Sequence, residues 1–314
     1  MSKLSNVILL LLTMGVSDVP NFEFLEVPDR DKLVKGFEEL HRLKAIDASA
    51  RITEHGKRMA QLPVSVEWAN LIIKSTSYGC TADVLTVVGM ASADNIFFRP
   101  SDERLRDKAS AAHARFRAWE GDLPSLRSVY KAWQKEAVYV PPGPDNNAAK
   151  RYKQLSRSKT SSKLSHPDWC SRNFINPRSI AKAHDVRAQI SHICRKSLMM
   201  DVSTECGSDG YKSFLKCICE GLANQVAVRN VVEDAKKTSK RDYVKGQNPG
   251  GRFKTLGGGI EVNVHPNSTL FQRNPAPKAV VFTELLFTKK TYITGVTQVH
   301  ESWLAEFCNH YHTS

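Results

Sequence analysis

The spacing of hydrophobic residues changes along this chain, and that change restricts the fold more than any other feature. Over residues 31–133 apolar side chains recur every three or four positions, as Leu33 and Phe37 do, which is the spacing of one face of an α-helix. Near the C-terminus, β-branched and aromatic residues crowd the runs 279–287 and 292–299. We therefore predict an α+β protein in which helical modules precede a small sheet.

The first helical segments have the order of a small winged-helix unit. A helix over 31–45 is followed by a short extended stretch, a second helix over 54–61 and a turn at Pro63. Winged helices bind nucleic acid in some proteins and only pack against neighbouring domains in others, and the sequence leaves both possibilities open. Helical spacing continues beyond this unit and returns over 173–193 and 212–228, which predicts a helical bundle.

The C-terminal part has the pattern of a small β-barrel. Val262 and Val264 alternate with polar neighbours and precede the two β-rich runs. The glycines at 257–259 have no helix behind them, so we interpret them as a hairpin turn and not as a phosphate-binding loop. Short strands separated by glycine-rich turns are typical of a barrel of the oligonucleotide-binding kind.

Positive charge is concentrated in one part of the chain. The formal net charge is +13, and residues 143–196 alone hold twelve Lys or Arg against three Asp, a net of +9. Such an excess attracts nucleic acid or another acidic surface. Residues 138–167 have few large apolar side chains, which predicts a flexible basic insertion. The insertion either adds cations to a surface that binds such a partner or is a solvated loop.

The seven cysteines do not form the pattern of a disulfide framework. Their number is odd and they are scattered along the chain, so we interpret them as reduced thiols. Cys206, Cys217 and Cys219 lack a fourth ligand at zinc spacing. Buried thiols are therefore the preferred interpretation, and no metal site is predicted.

The apolar run 7–12 near the N-terminus resembles the core of a signal peptide. No small-residue cleavage site follows it, and the run is too short to span a membrane. The alternative is a buried helix whose packing partner lies outside this sequence.

No catalytic constellation is present in the sequence. The one Gly-Lys pair, Gly56-Lys57, lacks the upstream glycine and the following hydroxyl residue of a phosphate-binding loop. There is likewise no G-x-S-x-G elbow and no H-E-x-x-H helix. We predict that this chain holds no catalytic residue, cofactor or metal of its own.

Six non-catalytic motifs do occur, in a fixed order. They are LSNVILLLLTMGVSDVPNFEFLE (4–26), ITEHGKRMAQLPVSVEWANLI (52–72), GCTADVLTVVGMASADNIFFRP (79–100), NFINPRSIAKAHDVRAQI (173–190), HPNSTLF (265–271) and FTELLFTKKTYITGVTQVHESWL (282–304). Together they resemble the C-terminal region of DEAH-box (DEAH/RHA) RNA helicases, a family that includes spliceosomal and ribosome-assembly enzymes. The resemblance covers nearly the whole chain apart from the insertion.

The resemblance implies a multidomain α+β fold that follows two RecA-like motor domains. Its parts are a winged helix, a ratchet-like helical bundle (HA2) and an oligonucleotide-binding (OB) β-barrel. On this sequence they correspond to a linker from the second motor domain at 1–27, a winged helix at 28–63, a bundle at 64–235 that contains the insertion at about 138–167, and an OB-fold with a C-terminal tail at 236–314. ATP and Mg²⁺ are implied for the motor domains, and no cofactor is implied for this chain.

In the resembling family this region closes over single-stranded RNA, so matching positions are expected to contact it. In the bundle motif these positions are Asn173, Arg178, Ser179 and Arg187. In the barrel Ser268, Lys289 and Lys290 match, while Arg252 and Lys254 in the preceding loop are chosen on charge and position. Arg and Lys would contact phosphates, and Ser and Asn would bond phosphate or sugar groups. Alternatively, Asn173 and Arg178 brace helix packing and Ser268 caps a turn.

The sequence also departs from the family's pattern. The family usually has an arginine where this chain has Thr294, an aspartate where it has His300, and an Ala-Pro pair where it has Cys308 and Asn309. These changes are expected to weaken a barrel contact or the packing of the C-terminal tail.

We hypothesise that the chain is the C-terminal part of a DEAH-box RNA helicase that acts in pre-mRNA splicing or a related RNA-remodelling step. The expected partners are single-stranded RNA, RecA-like motor domains in cis or trans, and a G-patch protein or spliceosomal components. No membrane is expected, and the expected location is the nucleus, with or without a cytoplasmic pool. The alternative hypothesis is a stand-alone, motor-less adaptor that binds RNA or protein.

Overall fold

The structure is a computed structural model that describes residues 4–26, 28–139, 164–207, 210–229 and 252–308. The α-helices in these ranges are α1 (Leu4–Thr13), α2 (Arg30–Arg42), α3 (Glu54–Ala60), α4 (Val66–Ser75), α5 (Thr81–Ala91), α6 (Glu103–Ala114), α7 (Asp122–Glu136), α8 (His166–Asn173), α9 (Pro177–Lys196), α10 (Tyr211–Gly221) and α11 (Glu301–Phe307). The strands are β1 (Ala137–Val138), β2 (Leu164–Ser165), β3 (Val226–Arg229), β4 (Phe253–Thr255), β5 (Glu261–Val264), β6 (Ala279–Val281), β7 (Glu284–Phe287), β8 (Thr291–Thr294) and β9 (Thr297–Val299).

The chain divides into two compact units. One, which we call the mixed unit, comprises residues 1–85 and 190–314 and contains the sheet. The other, the helical unit, comprises residues 86–189.

The apolar helix α1 of the mixed unit packs within the chain. Ile8 and Leu9 are buried, and a Cβ added to Gly36 of α2 would lie 2.6 Å from the Ile8 Cδ1 atom. Glycine therefore allows α1 and α2 to approach closely. Helices α2 and α3 pack against the buried side chains of α1, while Leu10 and Met14 are 54% and 71% exposed. A further partner outside this sequence therefore stays a prediction.

Helices α2 and α3 form where the sequence predicts them, and side chains cap their first turns. Asp29 accepts a hydrogen bond from the Asp31 backbone N–H, and Thr53 Oγ1 accepts one from Gly56 at 3.0 Å. Between the two helices the described pairing is an isolated bridge between residues 46 and 52. A wing of paired strands is not seen in this part of the described chain, so the winged helix stays a prediction.

Helix α10 is fixed against α4 by a close approach and by polar contacts. A Cβ on Gly221 would overlap α4, and Asn70 Nδ2 of α4 donates a hydrogen bond to the Gly221 carbonyl at 2.9 Å. Lys74 and Tyr78 contact the Glu220 carboxylate at 2.6 and 2.7 Å. Burial, followed by the bond to Glu220, raises the pKa of Tyr78 well above its ordinary value. This network joins α10, and through it the start of the sheet, to α4.

The sheet has seven strands in the order β7-β8-β5-β4-β3-β6-β9. Neighbouring strands are antiparallel except β5 and β8, which are parallel. Strand β3 belongs to this sheet but lies before residue 236, the predicted start of the OB-fold. Its pairing partners β4 and β6 are distant in sequence, so the β3 sequence alone does not reveal the pairing. The predicted hairpin turn joins β4 to β5, with Gly258 and Gly259 at φ of +104° and +63°.

One bent hairpin supplies both ends of this sheet. Its first arm comprises β6 and β7, its second comprises β8 and β9, and β6 pairs with β9 while β7 pairs with β8. The bend lies at Thr283 in the first arm and Gly295 in the second. Gly295 has a φ of +60°, and a Cβ added to it would overlap the Thr283 side chain, so this position requires glycine. The edge strands β7 and β9 are not paired with each other. The described sheet is therefore not closed, and the predicted closed barrel is not observed.

Two departures from the family's pattern are built into the packing of the mixed unit. His300 Nδ1 accepts a hydrogen bond from the Ser302 backbone N–H at 3.2 Å at the start of α11, where a short acidic side chain commonly acts as a cap. Cys308 is fully buried, and its Sγ donates to the Ala223 carbonyl at 3.8 Å.

The helical unit encloses an aromatic core. Tyr130 and Trp133 of α7 and Trp169 of α8 are buried in it together with apolar side chains of α5 and α9. Strands β1 and β2 pair in parallel at the two ends of the predicted insertion. Residues 164–167 therefore lie in regular structure because of this pairing and the α8 cap, whereas residues 140–163 of the predicted insertion lie outside the described residues.

Candidate nucleic-acid interface

The strands β4, β5, β8 and β7 carry a partly exposed surface on the side opposite the core. In β5, Val262 and Val264 are buried whereas Asn263 between them is not, and Lys254 of β4 is exposed. Side chains alternate between the two faces of a strand, so the remaining members of this surface follow from their positions. We call it the outer sheet face, and its members are Lys254, Glu261, Asn263, His265, Glu284, Leu286, Lys290, Tyr292 and Thr294.

The strand register arranges these side chains in three rows, one of which holds Thr294 opposite Glu284. Asn263 lies opposite Tyr292, which lies opposite Leu286. Lys254 lies opposite Glu261, and the register of β5 and β8 extends to place Lys290 beside the same glutamate. A row of charged side chains thus runs beside a row that contains an aromatic ring, two residues or about 7 Å away along the strands.

Four of the basic residues predicted for the barrel lie on or next to this face. Lys254 and Lys290 are members of it, and Lys289 is exposed in the adjoining β7–β8 turn. Arg252 is also exposed, and the alternation of β4 puts it on the same side as Lys254. The structure brings these residues to one end of the sheet, while their contact with RNA stays a prediction.

Ser268 has a local structural role. Its Oγ accepts a hydrogen bond from the Leu270 backbone N–H at 3.2 Å, and its own N–H donates to the His265 carbonyl at 2.9 Å. These are the bonds of a capped turn, which is the alternative that the sequence analysis left open.

Sequence reasoning missed an aromatic pair on the outer sheet face. The rings of His265 and Tyr292 lie edge to face, with centroids 5.6 Å apart and an interplanar angle of 80°. His265 donates its backbone N–H to the Ile293 carbonyl at 3.1 Å, which continues the β5–β8 ladder. The alternation of Asn263 and His265 with the two buried valines was the available signal, because it puts His265 on the same face as the lysines.

In the helical unit, Asn173 is held by internal hydrogen bonds. It is buried at the end of α8, its Nδ2 donates to the Trp169 carbonyl at 2.8 Å, and its Oδ1 accepts from Arg115 at 3.0 Å. Arg115 also contacts the Glu136 carboxylate at 2.8 Å. This arrangement braces α8 against neighbouring segments, as the alternative interpretation of Asn173 proposes.

The start of α9 carries two further predicted residues, and they differ in exposure. Asn176 Oδ1 accepts from the backbone N–H groups of Arg178 and Ser179, at 3.0 and 3.4 Å, and caps the helix. The Ser179 side chain is buried, whereas Arg178 is exposed. Of these two side chains, only that of Arg178 extends into solvent.

Arg187 is engaged within the helical unit. Its Nε donates to Thr86 Oγ1 at 2.9 Å, and its guanidinium lies 5.6 Å from the centre of the Tyr130 ring. A Cβ on Gly89 would lie 2.9 Å from the Arg187 Cβ, so the glycine makes room for this side chain. Arg187 therefore contributes to the packing of α5 against α9.

A cluster of rings fills the space beside Arg187. Tyr139 lies edge-on to His166 and His184, with centroid distances of 5.0 and 5.2 Å, and is tilted against Trp133 at 5.5 Å. Trp133 Nε1 donates to His166 Nδ1 at 3.0 Å. Burial lowers the pKa of both histidines, which keeps them neutral at neutral pH. The rings of this cluster pack against one another, as side chains of a structural core do.

The thiols and carboxylates of the described chain do not form a metal site. No group of three or more His, Cys, Asp or Glu in these ranges is arranged to hold an ion. All seven cysteines are buried and free, and burial raises the pKa of Cys170 to about 12 and that of Cys194 to about 11. The described helices also include none with the length and apolar character that a membrane span requires.

Comparison with known proteins finds two family models that match parts of this chain. Residues 65–126 match the family model of the ratchet-like helicase-associated domain, HA2, and residues 214–311 match that of the oligonucleotide/oligosaccharide-binding (OB) fold. The pre-mRNA-splicing factor ATP-dependent RNA helicase DEAH10 of Arabidopsis thaliana is 28% identical over 315 residues, which cover 98% of this chain and 38% of the Arabidopsis protein. This chain thus spans well under half the length of that curated relative. By these matches the chain is similar to the C-terminal region of a DEAH-box helicase, and regions that match the HA2 and OB-fold models follow each other along it.

Proposed function

We propose that this chain is the RNA-binding and regulatory C-terminal portion of a DEAH-box RNA helicase that acts in pre-mRNA splicing or related remodelling of RNA–protein complexes. In this proposal RecA-like motor domains bind ATP and Mg²⁺ and hydrolyse the nucleotide, while the present domains hold single-stranded RNA. Motor domains, spliceosomal components and a G-patch protein are the proposed partners, and the nucleus is the proposed location. The similarity to DEAH10 over 98% of the chain supports this assignment.

The observation that carries the RNA-binding part is the charge on the outer sheet face. Lys254 and Lys290 flank Glu261 in one row, and Lys289 is exposed at the adjoining turn. Lysine side chains on a partly exposed OB-fold face suit the phosphates of a nucleic acid strand, and the net charge of +13 strengthens the attraction.

The test is a titration of the full chain with single-stranded RNA at salt concentrations from about 50 to about 200 mM. Affinity that depends on phosphate contacts falls steeply over this range. A single strand gives a slope of about −0.7 in log affinity against log salt for each neutralised phosphate. The double variant Lys254→Gln/Lys290→Gln should therefore flatten the slope by about 1.4. Fluorescence anisotropy of a labelled oligonucleotide measures both affinity and slope.

Lys278→Gln is the matched control. Lys278 is an equally exposed lysine of the same unit, but it contacts Glu301 at 2.9 Å at the other end of the sheet. This variant should retain the slope of the parent chain. Loss of slope in the control but not in the double variant would reject the outer sheet face as the phosphate contact.

A further inference from the structure

The pair of rings on the outer sheet face is held in place without being buried. His265 Nδ1 accepts from the Asn267 backbone N–H at 3.2 Å, and the His265 backbone is paired to Ile293. Tyr292 lies between Asn263 and Leu286 in the register of three adjacent strands. Both rings are partly exposed, so their orientation is fixed while part of each ring faces solvent.

The geometry of the pair leaves ring surface available. In an edge-to-face contact one ring presents its edge and the other its face, so the two rings do not cover each other as stacked rings do. A flat aromatic group can lie on the surface that remains. Nucleic acid bases are such groups, and they stack on aromatic side chains with little dependence on base identity.

The lysines next to the two rings indicate which class of ligand fits the outer sheet face. Lys254 and Lys290 lie about 7 Å along the strands from the row that contains Tyr292. A ligand that covers both rows has an anionic part beside an aromatic part, which is the chemistry of a nucleotide within a strand. Inside a duplex both faces of a base are covered by its neighbours in the stack, whereas the bases of a single strand can be splayed out to stack on a side chain.

We propose that Tyr292, oriented by His265, is a stacking platform for an unpaired base, and that it makes the outer sheet face selective for single-stranded RNA. The inference rests on the proposed function, because it assigns the base contact of the surface whose lysines hold the phosphates.

Phe287 provides a matched control on the same hairpin. It is 70% exposed, but it shares the face of Leu285, which packs against the core, and therefore points away from the outer sheet face. An exposed phenylalanine and a partly exposed tyrosine five residues apart thus differ in the face that they occupy.

The experiment uses the full chain and two labelled probes of about twelve nucleotides, one an oligouridylate and the other a sugar-phosphate strand of the same length without bases. Tyr292→Ala should weaken oligouridylate binding about tenfold at constant salt, as expected for one lost base stack. Binding of the abasic strand and the salt slope should both stay as in the parent chain. Tyr292→Phe and Phe287→Ala should each bind oligouridylate as the parent does.

The outcomes separate this inference from the proposed function. If the parent chain binds neither probe, the proposed RNA-binding function fails. If the parent binds oligouridylate and Tyr292→Ala binds it equally well, or if the parent does not distinguish the two probes, the stacking platform is wrong while RNA binding stands. Should Tyr292→Ala not fold, as judged by circular dichroism, Tyr292→Leu keeps an apolar side chain in β8 and carries the same expectation.

Discussion

Asn173 in the helical unit and Lys254 in the sheet are both predicted from the sequence to contact RNA, yet their surroundings differ. Asn173 is buried, and both ends of its amide are bonded within the unit. Lys254 is exposed on a strand whose other side chains form the core. The same contrast separates Ser179 and Arg187, which are engaged in packing, from Lys289 and Lys290 in the hairpin.

The difference shows that a polar residue in a motif has two distinct uses. In a helical bundle, buried polar groups require partners, so the amide and guanidinium groups of the bundle motif stabilise the fold. In a sheet with one face exposed, alternate positions are not needed by the core and remain available to a ligand. Substitutions of Asn173, Ser179 and Arg187 in the bundle motif should therefore change stability, and substitutions on the outer sheet face should change binding.

The largest effect is expected from Gly89→Val. A Cβ at this position would lie 2.6 Å from the Ala183 carbonyl oxygen and 2.9 Å from the Arg187 Cβ, so α5 and α9 must separate. We expect the helical unit to lose about 3 kcal/mol of stability, measured by hydrogen exchange of α9 amides. Gly207→Val is the control, since no atom lies within 4 Å of a Cβ there. Equal protection in both variants would contradict the close packing around Arg187.

A smaller loss is expected from Asn173→Ala. The variant leaves the Trp169 carbonyl and one bond of Arg115 without their partner, which should cost about 2 kcal/mol. Exchange of the Ile175 amide, which donates to the Cys170 carbonyl at 2.9 Å, reports on this region.

Arg172→Ala in the exposed last turn of the same helix is the control for Asn173→Ala and should change stability little. If Asn173→Ala keeps its stability but loses RNA affinity, the proposed difference between the two regions is wrong. The Asn173 amide would then contact RNA and would not stabilise the fold.

On the outer sheet face, Glu261→Gln should strengthen RNA binding by about threefold in low salt, since it removes a negative charge between two lysines. Anisotropy titration measures this gain, and it should shrink as salt rises. Glu54→Gln, an exposed glutamate of α3 paired with Lys57, should leave affinity unchanged. An equal gain from both variants would mean that overall charge, and not this face, sets the affinity.

The smallest effect is a pH dependence of stability that comes from buried histidines of both units, since burial also lowers the pKa of His55 in the mixed unit. Burial lowers the pKa of His113, His166 and His184 below the ordinary value of 6.5. The unfolded chain therefore takes up protons first as pH falls, so stability is constant above about pH 6.5 and decreases below it. Asp185 opposes the shift at His184 and Arg187 adds to it.

Urea unfolding of the parent chain and of His184→Gln at about pH 7.5 and about pH 5.5, on either side of the ordinary histidine pKa, checks this expectation. The variant should lose less stability on acidification than the parent. An identical loss in the two proteins would show that His184 is not the titrating group.

Much of the fold was predictable from the sequence because it depends on local patterns. The caps Asp29 and Thr53 and the helical spacing after them are local signals, and α2 and α3 form where these signals occur. The turn at Gly258 and Gly259 was likewise predictable, because positive φ favours glycine.

The structure adds most to the sequence-based predictions where distant segments meet. No local pattern shows that Gly36 of α2 makes room for Ile8 of α1. Strand β3 lies before the predicted start of the OB-fold at residue 236, and its pairing with β4 and β6 is invisible in the β3 sequence itself. A closed barrel was predicted, whereas the bend at Gly295 lets one hairpin supply both ends of the described sheet without joining its edges.

The sequence by itself determined the identities of the chain's parts: a helical bundle, a basic character and a sheet of the OB kind, carried by motifs in a fixed order. Only the tertiary structure decided which motif residues are buried and which are exposed. Burial and strand register are properties of the packed chain, and they put Asn173 inside a hydrogen-bond network and Tyr292 on an open face beside Lys290. No pattern within either motif carries that distinction, because the partners that bury or expose each residue are supplied by other segments.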